Sequence, residues 1–272
     1  MLPNFLCIGS QKAGTSWLYQ MLKQHPDIWL PPIKEVHYYD YHYGEDTGTK
    51  KWGPSHIKKA MKRIESGTYS RPEDATYVKN LGFQKILTPE WYESIFNHVD
   101  SYNATVRGEV TPEYCSISPV GIEKIKEDLN TPKIIWLIRD PIERAVSQIK
   151  MVSNRSDLTS KYDDWSDVLA NVRYLNRANY KKYMPIWDKF FGSNILYLPY
   201  GLISKNPVSM INEIERFLEV SMFKYDGLDK IVHKTKSLNI PSDVLIRLED
   251  EMSEQYAFLS ERFSEQFLKD IK

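Results

Sequence analysis

The stretch Phe5-Leu-Cys-Ile-Gly-Ser-Gln-Lys-Ala-Gly-Thr-Ser-Trp-Leu18 decides the fold. An apolar run leads into a turn bounded by Gly9 and Gly14, and then into a helix with Trp17, Leu18, Met21 and Leu22 on one face. Backbone N–H groups of such a turn converge with the positive end of the helix, so the segment is built to hold an anion. Thr15 and Ser16 add hydroxyl donors. A nucleoside-triphosphate loop reads G-x-x-x-x-G-K-[ST]. Gly9 and Gly14 keep that separation here, but Thr15 stands where the lysine belongs and the lysine has moved back into the turn, at Lys12. A lysine so placed suits charge lying over the loop, at a bridging or leaving oxygen, rather than a terminal phosphate beside Mg²⁺. The plain alternative is an ordinary strand-turn-helix corner.

Outward from this corner, Asn4 to Ile8, Lys133 to Ile138 and Asn194 to Leu198 read as short buried strands, each followed by a helix. Asp140-Pro-Ile-Glu143 places an acidic N-cap, a proline in the first turn and a glutamate three residues past the cap. Val208, Ile211, Ile214, Phe217 and Leu218 give the third unit its helical face. Repeated units of this kind predict a single α/β domain over residues 1–272, a P-loop-like parallel β-sheet flanked by helices. Its ligand belongs at the carboxyl ends of the strands, where the Gly9 loop and Arg139 both fall. Residues 40–104 read as an insertion, with helices from Pro54 to Ile64 and from Pro89 to His98, that contributes to an acceptor cleft. Its Lys50, Lys51, Lys58, Lys59, Lys62 and Arg63 form a solvated face or a surface for an anion. The tail from Ser242 to Lys272 reads as one or two amphipathic helices over the sheet.

In 272 residues, 42% hydrophobic and 26% charged, 36 Lys plus Arg balance 36 Asp plus Glu. No global field recruits nucleic acid or an anionic membrane, so an anion site must be built locally. Cys7 and Cys115 lack metal-ligand spacing and lie in apolar or Tyr-flanked surroundings, which predicts buried thiols in a reducing compartment. No basic leader precedes a long apolar run, and no apolar stretch of about 18 residues occurs, so the expectation is a cytoplasmic protein without a membrane span.

A second anion-binding signal follows the Lys133 to Ile138 strand. In Arg139-Asp-Pro-Ile-Glu-Arg-Ala-Val-Ser147, Arg139 leaves the strand tip with forked donors and Ser147 lies about two turns into the helix; taken alone, the motif reads equally as a strand-end arginine paired with a carboxylate and a helix serine of no importance. Two anion sites on adjacent strands call for a ligand charged at two separate points. With these segments in order, the chain resembles the sulfotransferases that use 3′-phosphoadenosine 5′-phosphosulfate (PAPS), especially the heparan-sulfate, carbohydrate-directed branch. The Gly9 to Trp17 stretch is similar to the family's 5′-phosphosulfate loop, and Arg139 to Ser147 to its 3′-phosphate motif. Lys34-Glu-Val-His-Tyr-Tyr-Asp40 resembles the segment that supplies that branch's catalytic carboxylate. Weaker echoes continue at Gly108-Glu-Val-Thr-Pro-Glu-Tyr114 and from Asn179 to Leu218, so the resemblance covers nearly the whole chain.

The resemblance implies that Lys12, Ala13, Gly14, Thr15, Ser16 and Trp17 hold the 5′-phosphosulfate, while Arg139 and Ser147 clamp the 3′-phosphate. It implies Glu35 as general base toward an acceptor hydroxyl or amine, Lys12 as the cation at the leaving oxygen, and release of adenosine 3′,5′-bisphosphate (PAP). Partial burial among Tyr38 and Tyr39 is expected to raise the Glu35 pKa. The bland reading of Glu35 is a surface salt bridge to Lys34 or a helix N-terminal acid. His37 is a rival base or a hydrogen-bond donor that orients Glu35, and Tyr38, Tyr39, Tyr41 and Tyr43 stack on an acceptor or pack a core. The scheme requires no metal, and no cluster with ligand spacing stands out in the sequence.

One departure from the family is Val110, where that branch usually carries a lysine; Lys34 or another cation substitutes, or the acceptor is treated differently. Glu109 reads equally as a second active-site carboxylate or a strand-end acid. Lys234 and Lys236 lie where the family often has a loop closing over the nucleotide, and read as solvated lysines or as cations that reach the 3′-phosphate. The acceptor expected from the resemblance is a saccharide or small alcohol. The competing classes are a small-molecule P-loop kinase using ATP and Mg²⁺, against which Thr15 counts, and a non-catalytic nucleotide-binding relative, against which Glu35 counts.

Overall fold

Short apolar strands pair in parallel and set the rest of the chain around them. The computed structural model describes residues 1–45, 48–67, 71–156, 177, 179–230 and 240–272. Its sheet contains β1 (Phe5–Gly9), β2 (Ile28–Trp29), β3 (Val106–Val110), β4 (Lys133–Ile138) and β5 (Ile195–Pro199), in the order β2-β3-β1-β4-β5. All neighbours run parallel, with Phe5 of β1 opposite Gly108 of β3 and Lys133 of β4. Glycine at 108 is a packing requirement, because a Cβ there would lie 2.2 Å from the Phe5 ring. The three strands expected from the sequence are present, two of them shifted by one residue. The two-residue β2, and β3, whose run is interrupted by Arg107, Gly108 and Glu109, carry too little apolar signal to stand out.

Side-chain alternation sends Leu6, Ile8, Ile134, Trp136 and Ile138 to one layer, and Phe5, Cys7, Ile135, Leu137 and Leu198 to the other. Helix α1 (Thr15–Leu22) covers the second face together with a later helix that buries Met210, Ile211 and Ile214. The first face is covered by α2 (Tyr38–Tyr43), α3 (Gly48–Glu65), α4 (Pro72–Gly82), α5 (Pro89–Ile95) and α6 (Pro119–Asp128). Residues 40–104 are therefore part of the main core: Ile57, Met61, Val78 and Trp91 pack in the layer of Leu6 and Ile8. Helix α3 begins upstream of Pro54, its expected start, because Thr49, Gly53 and Ile57 recur on one buried face. Helix α5 stops at Ile95, short of the expected His98, and α4 was not anticipated.

Helix α7 (Pro141–Ser156) starts as its sequence predicts, with the Glu143 N–H donating to Asp140 Oδ1 at 3.0 Å. After α8 (Tyr180–Phe191), α9 (Leu202–Lys205) and α10 (Pro207–Leu218), the tail forms α11 (Ser242–Arg262) and α12 (Glu265–Asp270). Helix α11 packs on α7 and α8, and α12 on β5. Among the described residues no helix is long and apolar enough to cross a membrane.

Candidate active site

The first turn is tied down before it is charged. The Ser10 N–H donates to Leu137 O at 2.9 Å, Trp136 Nε1 to Ser10 Oγ at 2.9 Å, and the Ala13 N–H back to Ser10 O at 3.0 Å. Lys12 and Gly14 have φ of 70° and 88°, and Gly14 caps α1 without a side chain. The N–H groups of the first turn of α1 thus receive no capping oxygen from that residue. Ala13, Thr15 and Trp17 are buried, while Lys12, Gly14 and Ser16 remain half-buried at the turn.

Arg139 reaches this turn from the tip of β4. Its Nη1 donates to Lys12 O at 2.9 Å, its Nη2 lies 3.3 Å from Glu143 Oε2, and the guanidinium stacks 4.2 Å from the centre of the Tyr200 ring. Two further arginines that the sequence reading missed stand beside it. Arg144, fully buried, donates to Gln148 Oε1 at 2.7 Å and approaches Gln11 O at 3.5 Å; burial lowers its pKa to about 10. Arg177 bonds to the Gln11 side chain and pairs with Glu113 Oε1 at 3.3 Å. The available signal for Arg144 was its place within the Arg139 to Ser147 run; Arg177 had none. Ser147 sits half-buried on α7.

Glu113 connects the anion turn to the segment of Glu35. It accepts from Gln11 Nε2 at 2.9 Å and interacts electrostatically with Glu35 and His37. Glu35 and His37 both adopt left-handed backbone, with φ of 65° and 55°. Around Glu35, Lys34 Nζ lies 2.5 Å from Oε1, His56 Nε2 3.5 Å from Oε2, and His37 Nε2 3.8 Å from Oε2. His37 Nδ1 stands 3.0 Å from Asp40 Oδ2, and the Trp52 ring meets His37 edge-on at 4.7 Å.

The electrostatics correct one expectation, the direction of the Glu35 shift, and bear on another. Burial acts to raise the Glu35 carboxyl, but Lys34 and His37 outweigh it and hold the pKa well below the usual carboxylate range. The ion pair with Lys34, the bland alternative for Glu35, is therefore formed. For His37 burial opposes the charge, yet Asp40 and Glu35 raise its pKa to about 10. That direction favours His37 as a hydrogen-bond donor over His37 as a base. Glu35, His37 and His56 also bring three metal-ligand atoms within 4.8 Å of one another, a cluster invisible in the sequence because α3 supplies His56.

Tyr38 and Tyr39 are buried and pack with Tyr92, while Tyr41 and Tyr43 lie against the same core, so this aromatic cluster is structural. Val110 is buried and apolar, leaving Lys34 as the lysine beside the carboxylate. Glu109 is 1% exposed near the end of β3. Lys234 and Lys236 lie outside the described residues.

A family model described as "Sulfotransferase family" matches residues 3–224. The chain is 28% identical over 148 residues to the membrane-associated sulfotransferase kil1 of Dictyostelium discoideum, a match covering 54% of this chain and 22% of that protein. This chain thus spans only about a fifth of that relative. Among solved structures, a sulfotransferase from Alicyclobacillus acidocaldarius superposes with a TM-score of 0.67 at 21% identity, covering 98% of this chain and 99% of the other. The sulfotransferase domain of the Synechococcus PCC 7002 olefin synthase gives 0.57 at 18% identity, covering 94% and 95%. At these identities the structural likeness shows the fold.

Proposed function

Because this chain belongs to the sulfotransferase family, we propose that it moves a sulfuryl group from 3′-phosphoadenosine 5′-phosphosulfate to an acceptor hydroxyl or amine, with Glu35 as general base. The observation that carries this reading is the meeting of its two anion-binding signals, with Arg139 donating to the carbonyl of Lys12. A nucleotide charged at its 3′ and 5′ ends fits that juxtaposition; a nucleotide charged at one end leaves one signal unused.

In this reading the turn N–H groups, Thr15 and Ser16 hold the 5′ end and Arg139 and Ser147 the 3′ end. Lys12 neutralises charge on the departing oxygen. Positioning and cationic stabilisation then carry most of the rate, as in phosphoryl transfer. Glu35 accepts the acceptor's proton as the new S–O or S–N bond forms and the S–O bond to the phosphate breaks. Lys34 has a second use here. If it turns from Glu35 to the transferring group, it removes the largest influence that opposes burial at the carboxyl, which gains basicity as the proton arrives. Lys34 thereby takes the place of the lysine that Val110 lacks. The acceptor belongs to the saccharides or small alcohols, received between α3, with Trp52 and His56, and the Glu35 segment. The free, buried thiols of Cys7 and Cys115 support a reducing, cytoplasmic setting.

A thermal-shift comparison of adenosine 3′,5′-bisphosphate with ATP and Mg²⁺ tests the reading. A ligand at 100 times its dissociation constant stabilises by about 2.7 kcal/mol. A larger shift with the bisphosphate is expected; preference for ATP and Mg²⁺ would assign the turn to a kinase.

A further inference from the structure

Behind the Glu35 segment lies a carboxylate that the proposed transfer does not use. Glu109 accepts from Tyr92 Oη at 2.7 Å, Thr111 Oγ1 at 2.8 Å and Tyr114 Oη at 3.1 Å. Two of these hydroxyls face the chain beyond. Thr111 Oγ1 accepts the Val36 N–H at 3.0 Å, and Tyr114 Oη accepts the N–H groups of Tyr38 at 3.2 Å and Tyr39 at 3.4 Å. These amides flank Glu35 and His37, the two residues held in left-handed backbone. An L-residue leaves that conformation unless its surroundings enforce it.

We infer that Glu109 is a positioning residue whose acceptor-only carboxylate orients the Thr111 and Tyr114 hydroxyls to clamp the backbone of residues 36–39, and so aims Glu35 and His37 at the acceptor. The inference rests on the reading of Glu35 as base. Its logic is one of hydrogen-bond polarity. A hydroxyl that must donate inward to a carboxylate keeps its lone pairs for the outward N–H. A side-chain amide at 109 would present a donor to one of the hydroxyls and turn that lone pair inward. The local sequence makes the device compact: Glu109 and Thr111 share a face of extended chain, and the short 3₁₀ turn Pro112–Ser116 returns Tyr114 to the same carboxylate. Tyr92 is the internal control. Its hydroxyl touches the same carboxylate, but the amides of 36, 38 and 39 go to Thr111 and Tyr114.

The test uses isosteric changes in the full chain: Thr111→Val, Tyr114→Phe and Glu109→Gln, with Thr111→Ser as rescue and Tyr92→Phe as control. Hydrogen exchange of the peptide spanning residues 33–41 reports the clamp without substrate. Exchange is expected to quicken by about tenfold or more in the first three variants and to stay within about twofold of wild type in the other two, as for loss of a local closing contact. Turnover should follow, with kcat falling about 10- to 100-fold on the scale of ångström misplacement, while the dissociation constant for adenosine 3′,5′-bisphosphate stays unchanged. Unaltered exchange in Thr111→Val and Tyr114→Phe would overturn the clamp, as would an equal loss in Tyr92→Phe. A wild-type protein that binds no bisphosphate would defeat the sulfotransferase reading itself, and the exchange data would still decide the clamp.

Discussion

Arg139 donates to the carbonyl oxygen of Lys12 across 127 positions of sequence, at 2.9 Å, bringing the tip of β4 onto the turn after β1. The same guanidinium lies over Tyr200 and beside Glu143, so its plane is fixed before a ligand arrives. Arg139→Ala should weaken adenosine 3′,5′-bisphosphate by about 10- to 100-fold, the value of a charge-assisted hydrogen bond of about 1.5–3 kcal/mol. Adenosine 5′-phosphate should bind the variant as it binds wild type. Arg139→Lys should not restore affinity, because an ammonium neither forks nor stacks as a guanidinium does. Equal losses for the two nucleotides, measured by calorimetry, would remove the 3′-phosphate from Arg139.

Glu35→Gln should lower kcat by about 10² or more with bisphosphate affinity intact. The base must be ionised, and Lys34 and His37 keep it so far into acid. The limb of kcat/KM that belongs to Glu35 is therefore expected below the ordinary carboxylate range, separate from the Glu109 limb near 7. Lys34→Met leaves burial less opposed, so the folded pKa rises and the limb moves to higher pH. A limb that does not move in Lys34→Met would show that another group titrates there.

Gly14 holds φ at 88°, and a Cβ on it would lie 2.2 Å from Ile203 Cδ1. Gly14→Ala thus combines left-handed strain of about 1–2 kcal/mol with overpacking of about 1–3 kcal/mol. Urea unfolding should show a cost of about 2–5 kcal/mol. In an Ile203→Ala background the overlap disappears and the strain stays, so the cost should shrink without vanishing. Full recovery there would place the whole penalty in the side-chain contact.

The strands β1, β4 and β5 and the helices after them were legible because buried parallel strands are nearly continuous apolar runs and their helices open on recognisable caps, as at Asp140. The anion turn was legible because its glycines and lysine are local. What escaped the sequence is what only tertiary contact creates. His56 reaches Glu35 from α3, Arg177 reaches Gln11 from a distant segment, and Lys34 reverses the shift that burial alone would give the base. Glu109 and Glu113 look alike as glutamates near a strand end. Their different surroundings, three hydroxyls for one and Gln11 with Arg177 for the other, separate their roles.

Glu109 should oppose stability and activity to one another as pH changes. Burial raises its pKa from 4.5 to about 7, against the lowering by the hydroxyls of Tyr92 from α5 and of Thr111 and Tyr114, with Asp40 of α2 adding to the rise. A carboxyl raised in the folded state contributes stability that is fully present below the unfolded pKa and is lost as pH rises through the folded one. At 1.36 kcal/mol per pKa unit the change is roughly 3 kcal/mol between pH 4.5 and pH 8. Glu109→Gln carries no charge at either end, so the stability of wild type relative to this variant should fall by about that amount over the window. The hydroxyl clamp runs the other way, since only the ionised carboxylate makes both Thr111 and Tyr114 donate inward. Wild-type kcat should therefore rise with pH through about 7, and Glu109→Gln should stay low and lack that limb. Denaturant unfolding and kcat, each measured across pH 5 to about 8, check the two halves separately. A stability difference that does not change with pH would mean that Glu109 is already ionised in the folded protein at acid pH, and the upward limb in kcat would then belong to another group.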